Sequence, residues 1–209
     1  MKDFLKGGGK FLAWTAGIIV VIGAVLRIFF IETATISHDG MSPTLCAGDR
    51  VAIWRASEFS IGDVVVCQHP SEPGRFVVGR VLGKPGMRVE TIRGQLHIAG
   101  TKPDTDLRGT KRWLDITTGR VRRMQFGIEV LASSDHEFMI DPHDTLNLRP
   151  VSVTTGLFLL GDNRSYHAED SRSFGQVDAA TCRGKIFMIL VPAADRGDDI
   201  SHWWLSLVD

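Results

Sequence analysis

The sequence predicts a mainly β protein, a sandwich- or barrel-like body behind one N-terminal transmembrane helix. Three observations predict it. Residues 11–31 are almost continuously apolar, short segments rich in Val, Ile and Phe recur between Gly, Pro and Asp from residue 50 onward, and no long segment of helical apolar spacing interrupts them. At 209 residues and 44% hydrophobic content, the chain can bury one sizeable core or two small ones, and its 22 glycines call for many turns. Lys plus Arg and Asp plus Glu balance at 24 each, so net charge directs the chain neither to nucleic acid nor to an acidic substrate.

Residues 1–10 read as a short cytoplasmic tail, residues 11–31 as the span and residues 32–209 as an exported body. The apolar run is close to the ~20 residues that cross a bilayer. Trp14 suits one interface and Arg27 can reach the other, while Lys2, Lys6 and Lys10 hold the tail in the cytoplasm. A cleaved signal would carry an apolar region of only ~7–15 residues and a small-x-small site. A buried soluble helix would be apolar on one stripe, not all round.

The body's strands are expected at Arg50–Trp54, Asp63–Gln68, Arg75–Leu82, Arg88–Ile92, Gln95–Ile98, Phe126–Leu131, Glu137–Ile140, Gly156–Leu160 and Lys185–Val191. Arg93-Gly94 reads as the turn of a hairpin. Residues 101–123 turn polar and basic (Lys102, Arg108, Lys111, Arg112, Arg120, Arg122, Arg123), the composition of a solvated loop or outer hairpin. The tail from Ser201 to Val208 suits a membrane interface, and equally a satellite cluster of the core. Cys46, Cys67 and Cys182 lack metal or redox spacing, so they read as small buried apolar residues or as one disulfide plus a free thiol. The seven histidines show no ligand spacing, and no metal or other cofactor is expected.

The most specific stretch is Gly161-Asp162-Asn163-Arg164, followed by Asp170-Ser171-Arg172 and Phe174-Gly175. Upstream stand Gly40-Met41-Ser42-Pro43-Thr44-Leu45, Gly62-Asp63-Val64-Val65 and Arg80-Val81-Leu82-Gly83-Lys84-Pro85-Gly86. With these motifs in this order behind one anchor, the chain resembles the type I signal peptidases, peptidase family S26. The resemblance covers nearly the whole chain. It implies a signal-peptidase-like β body in the bacterial inner membrane, single-pass, with its main domain periplasmic or extracytoplasmic and a variable cap-like insertion at about residues 101–160. The partners it implies are the membrane lipid bilayer and exported preproteins or a membrane protein assembly, with no nucleic acid.

Members of that family are Ser/Lys endopeptidases in which a Lys, kept neutral by burial, takes the proton of a Ser that attacks the end of a signal peptide. Here both groups are missing. The position matching the nucleophile is Gly40, the position matching the general base is Gly79, and the Ser that helps hold the oxyanion corresponds to His38. Five residues, Ser165-Tyr166-His167-Ala168-Glu169, stand between Arg164 and Asp170 where the family has four, so the Ser that orients the Lys is displaced or lost.

The expectation is therefore an inactive homologue with no catalytic residue of its own, binding an extended peptide or a partner protein. Its groove should be wider at the two glycines. Met41, Pro43, Thr44, Arg80, Gly83, Pro85, Gly86, Gly161, Asp162, Asn163, Arg164, Asp170, Ser171 and Arg172 keep the family motifs in a structural role, since paired buried charges cannot be lost singly. The alternative is an active peptidase with relocated groups, for which Ser42 and Lys84 are the candidates. His38-Asp39 form no relay, because neighbours on an extended chain face opposite ways; they read as a solvated or capping pair.

Overall fold

The computed structural model describes residues 14–24, 30–55, 58–116, 118–132, 134–193 and 203–208. The chain divides into two compact units, residues 1–32 and 33–209. In the first, residues 14–24 form helix α1, on which Trp14, Ile18, Ile19, Val20, Val21 and Ile22 are exposed. Among the described residues no helix is long and apolar enough to cross a membrane. The expected span, 11–31, lies partly outside them, as do Lys2, Lys6, Lys10 and Arg27.

The main sheet uses β1 (Ile31–Thr35), β2 (Arg50–Trp54), β3 (Val64–Gln68), β4 (Phe76–Gly83), β11 (Phe158–Leu160), β12 (Cys182–Val191) and β13 (Ser206–Leu207). Its order is β1-β2-β12-β3-β4-β11, with β13 on β12. A second sheet, β10-β5-β6, combines β5 (Arg88–Ile92), β6 (Gln95–Ile98) and β10 (Val151–Ser152), and a third, β7-β8-β9, combines β7 (Asp104–Asp115), β8 (Arg120–Leu131) and β9 (Ser134–Ile140). The α-helix α2 has only four residues, Ser171–Phe174. The body is mainly β, as the sequence predicts.

Strand β3 explains where the core sits. Val64, Val65, Val66 and Cys67 are all buried, and successive side chains of a strand face opposite ways. Val64 and Val66 therefore join Met41, Leu45, Val51, Ile53 and Ile186 on one face, while Val65 and Cys67 join Val77, Val81, Leu157 and Leu159 on the other. Each such Val adds about 1.5–3 kcal/mol by leaving water. A third cluster, around Leu82, Val89, Leu96, Leu146 and Phe158, ties the second sheet to β4 and β11.

The β5–β6 hairpin turns on Arg93 and Gly94 with φ of 53° and 77°, the two positive values of a type I′ turn. The basic stretch forms an outer hairpin and not a loop. β7 and β8 are 12 residues each and pair along their length, although most of β7 is exposed. Strands β1, β10 and β13 were not expected; they are short, β1 and β13 pairing with their neighbours in the chain, β2 and β12, and β10 with the distant β5. In the tail, β13 pairs with β12 and Val208 packs on the core, while Trp203, Trp204, Leu205 and Leu207 are exposed.

Cys67 and Cys182 face each other across β3 and β12 and form a disulfide, and Cys46 is buried and stands outside it. Spacing alone left this pairing open. In denaturant without reductant, one thiol per chain should react with maleimide, and three should react after reduction, as read by mass. Three reactive thiols in the unreduced, air-exposed protein would contradict the pairing.

Candidate functional site

The site is built around a buried charge. Arg80 projects from β4 and is fully enclosed, its Nε and Nη2 donating to Asp162 Oδ1 and Oδ2 at 2.9 and 2.7 Å and its Nη1 to the Gly62 carbonyl at 2.7 Å. The Thr44 hydroxyl donates to Asp162 Oδ2 at 2.6 Å. Burial resists ionisation of Asp162, but the Arg80 guanidinium outweighs it and holds the carboxyl below its ordinary 3.8. The fork geometry of Arg makes this planar, two-bond pairing possible.

A second ion set abuts the first. Arg164 Nη2 donates to Glu129 Oε2 at 2.6 Å, and His136 Nε2 lies 3.5 Å from Glu129 and 3.9 Å from Asp162. Burial opposes the Glu129 charge, yet Arg164 and then His136 bring its pKa from 4.5 to about 2. A third pair serves the backbone. Asp170 binds Arg172 at 2.6–3.0 Å and accepts from Gly161 N at 3.2 Å, Ser171 Oγ accepts from Leu159 N at 2.9 Å, and Arg172 Nη1 donates to the Arg164 carbonyl at 2.6 Å. The motif charges thus fix β11 and the turn after it.

That turn carries residues 39–41, a 3-10 turn. Asn163 N donates to the Gly40 carbonyl at 3.1 Å, and Asn163 Nδ2 to the Asp39 carbonyl at 3.1 Å. A Cβ on Gly161 would meet the Gly40 oxygen at 2.3 Å, so only glycine allows this approach. Gly79 lies on β4, and a Cβ there would sit 2.9 Å from Leu159 Cβ. The 3-10 turn comes within 8 Å of β4, Cα to Cα, and the two glycines border the same strand end, Gly40 at Gly161 and Gly79 at Leu159.

The glycines do not open a wider groove. Both are buried. A Cβ on Gly40 would meet His38 Nδ1 at 2.9 Å and Tyr166 Cδ1 at 3.2 Å. The His38 ring accepts from Gly40 N at 3.1 Å through Nδ1, stacks on Tyr166 at 5.8 Å between centroids, and points Nε2 at Glu169 Oε2, 4.0 Å away. Glu169 in turn pairs with Arg75. Burial lowers the His38 pKa below 6.5 and outweighs the upward pull of Glu169 and Asp39. With Nδ1 accepting, the neutral ring carries its proton on Nε2.

Other expected residues fall as follows. Ser42 has no exposure, its Oγ lying 3.3 Å from the Leu45 carbonyl and 3.4 Å from Asp39 Oδ1; Lys84 is half-buried in the turn after β4. Met41 and Pro43 are buried, Gly83 closes β4 against Val89 and Val153, and Pro85 and Gly86 are exposed in the following turn. His38 caps the 3-10 turn, but Asp39 is buried, with Oδ1 accepting from Ala47 N at 2.8 Å, so the pair is not solvated. Among the described residues no group of three His, Cys, Asp or Glu could hold a metal ion.

The sequence reading missed Tyr166 and Glu169 as occupants of the site, and Arg75, Glu129 and His136 altogether. An acid between Ile128 and Val130 in an apolar strand was the available signal for Glu129.

Carboxyls with depressed pKa lend stability above their unfolded pKa and lose it as pH falls through the folded one. For Glu129, roughly 3 kcal/mol should disappear between pH 4.5 and about 2, as followed by urea melts. Glu129→Gln should flatten that acid limb. Arg80→Met should cost about 3–5 kcal/mol, because it leaves Asp162 buried and unpaired. A parent-like melt for Arg80→Met would contradict this reading of the pair.

Comparison with known proteins agrees with the motifs. Residues 10–191 match the family model described as signal peptidase, peptidase S26. Signal peptidase IB of Staphylococcus aureus is 29% identical over 186 residues, covering 85% of this chain and 87% of that protein. Signal peptidase I of Bacillus licheniformis is 25% identical over 186 residues, covering 86% and 88%. A crystal structure of a signal peptidase I from Enterococcus faecalis is 22% identical and covers 61% of this chain and 96% of that one, with a TM-score of 0.36, too low for a comparison of site geometry. The family-model match spans most of the sequence, and the chain belongs to the signal peptidase family, peptidase S26.

Proposed function

We propose that this chain is a non-catalytic, membrane-anchored member of the family, whose exported body binds an extended peptide or a partner protein. The observation that carries the reading is the filling of both catalytic stations. The space beside Gly40 is taken by His38 and Tyr166, and the space beside Gly79 by Leu159. A Ser/Lys mechanism needs a hydroxyl and a neutral amine within hydrogen-bond reach. At the matching positions there is neither, and the neighbouring side chains occupy the room they would use.

The anchor in this reading rests on the apolar run of residues 11–31. Binding rests on what the body keeps: the motif charges still fix the strand ends and turns that border the stations. Because those stations are filled, a bound peptide would gain its affinity from main-chain pairing along an exposed strand edge, with no covalent step. The relocated-nucleophile alternative finds no support at Ser42, whose hydroxyl is enclosed by Asp39, Leu45 and Cys46.

The full chain reconstituted in liposomes should leave intact a preprotein with Ala-x-Ala before its cut. Gly40→Ser combined with Gly79→Lys should also fail to cut and should melt lower, by about 1–3 kcal/mol, because the added atoms overpack His38, Tyr166 and Leu159. Cleavage by the parent that disappears in Ser42→Ala would establish the relocated alternative. Robust cleavage by the double variant would show that the stations are merely empty, and the filling argument would fail.

A further inference from the structure

A cavity of about 280 Å³ lies where the β5–β6 hairpin, the start of β7 and strands β8 and β9 meet, and neither glycine station contributes a residue to its lining. Its apolar wall includes Leu96, Phe138 and Leu146, with Leu107 at an exposed position. The ionisable groups that line it are Lys102, Glu129 and Arg164.

Arg164 is the informative group. Its side chain is 3% exposed, its Nη2 is committed to Glu129 and its guanidinium stands 5.2 Å over the Phe138 ring. Its Nε is buried without a hydrogen-bond partner. Buried guanidinium donors are ordinarily satisfied, so an unused one in a residue that lines a cavity calls for an acceptor. Lys102 is exposed and makes no ion pair among the described residues.

The charges facing the space are two positive and one negative, Lys102 and Arg164 against Glu129. Behind Glu129 stand His136 and the mutually neutralising Arg80–Asp162 pair. One positive charge is left over, beside an aromatic and aliphatic wall. The volume falls just below that of drug-sized ligand pockets, which run about 300–1,000 Å³, and so suits a smaller molecule. We propose that this cavity binds a small monoanionic amphiphile, its carboxylate between Lys102 and Arg164 and a short apolar tail against Phe138 and Leu146.

The test uses the full chain in lipid nanodiscs, with empty nanodiscs as the blank, and three soluble probes of one shape: 3-phenylpropanoate, its amide and 3-phenylpropylamine. Calorimetry should give the carboxylate at least about ten-fold tighter binding than either analogue. Lys102→Glu and Leu107→Asp, both at exposed positions, should each weaken it about ten-fold while leaving the thermal midpoint unchanged. Equal affinity for the three probes, no binding of the carboxylate, or parent-like affinity in Lys102→Glu would each overturn the proposal. The outcome is independent of whether the chain cleaves preproteins.

Discussion

The Arg80–Asp162 pair is the constraint on which the rest of the body depends. Enclosing a guanidinium and a carboxylate demands that every donor and acceptor be met, and they are met from three distant segments: Thr44 beside the 3-10 turn, the Gly62 carbonyl before β3, and Asp162 after β11. Those bonds hold β4 against the Gly161 turn, and that turn holds Gly40 through Asn163. Removing one partner leaves a charge in the core, which is far more costly than the pair itself is beneficial.

This constraint accounts for an uneven pattern of retention. A nucleophile or base is an addition to the scaffold, and taking it away leaves backbone and core intact. Asp162, Arg164, Asp170 and Arg172 cannot go the same way, because each supports either a buried partner or a strand's backbone. Glycine at 40 and 79 is tolerated because His38, Tyr166 and Leu159 close the space that would otherwise weaken packing. The segment from Ser165 to Glu169 supplies Tyr166 and Glu169 to this closure.

Strand β3 was legible because four successive apolar residues sit between turn signals, and the Arg93-Gly94 turn because glycine after a polar residue suits two positive φ values. The polar strand β7 was not, since its pairing with β8 comes from the hairpin and not from an apolar face. Strands β1, β10 and β13 have five, two and two residues, too few for an apolar alternation to stand out, and leave little local trace. At the site, motif order gave Arg80, Asp162 and the two glycines. It gave neither the Cys67–Cys182 pairing, which follows from strand register, nor the contact of Tyr166 and Glu169 with His38, which exists only once the chain has folded.

The closure of the Gly40 station is the central claim, and the exchange behaviour of one amide reports on it most directly. If the Gly40 N–H is held by His38 Nδ1 under the Tyr166 ring, it should exchange slowly with solvent, and the nitrogen shifts of His38 should show a neutral ring protonated on Nε2 at neutral pH. An unprotected Gly40 amide together with a charged or freely exchanging His38 ring would mean that the station is open, and would contradict the account.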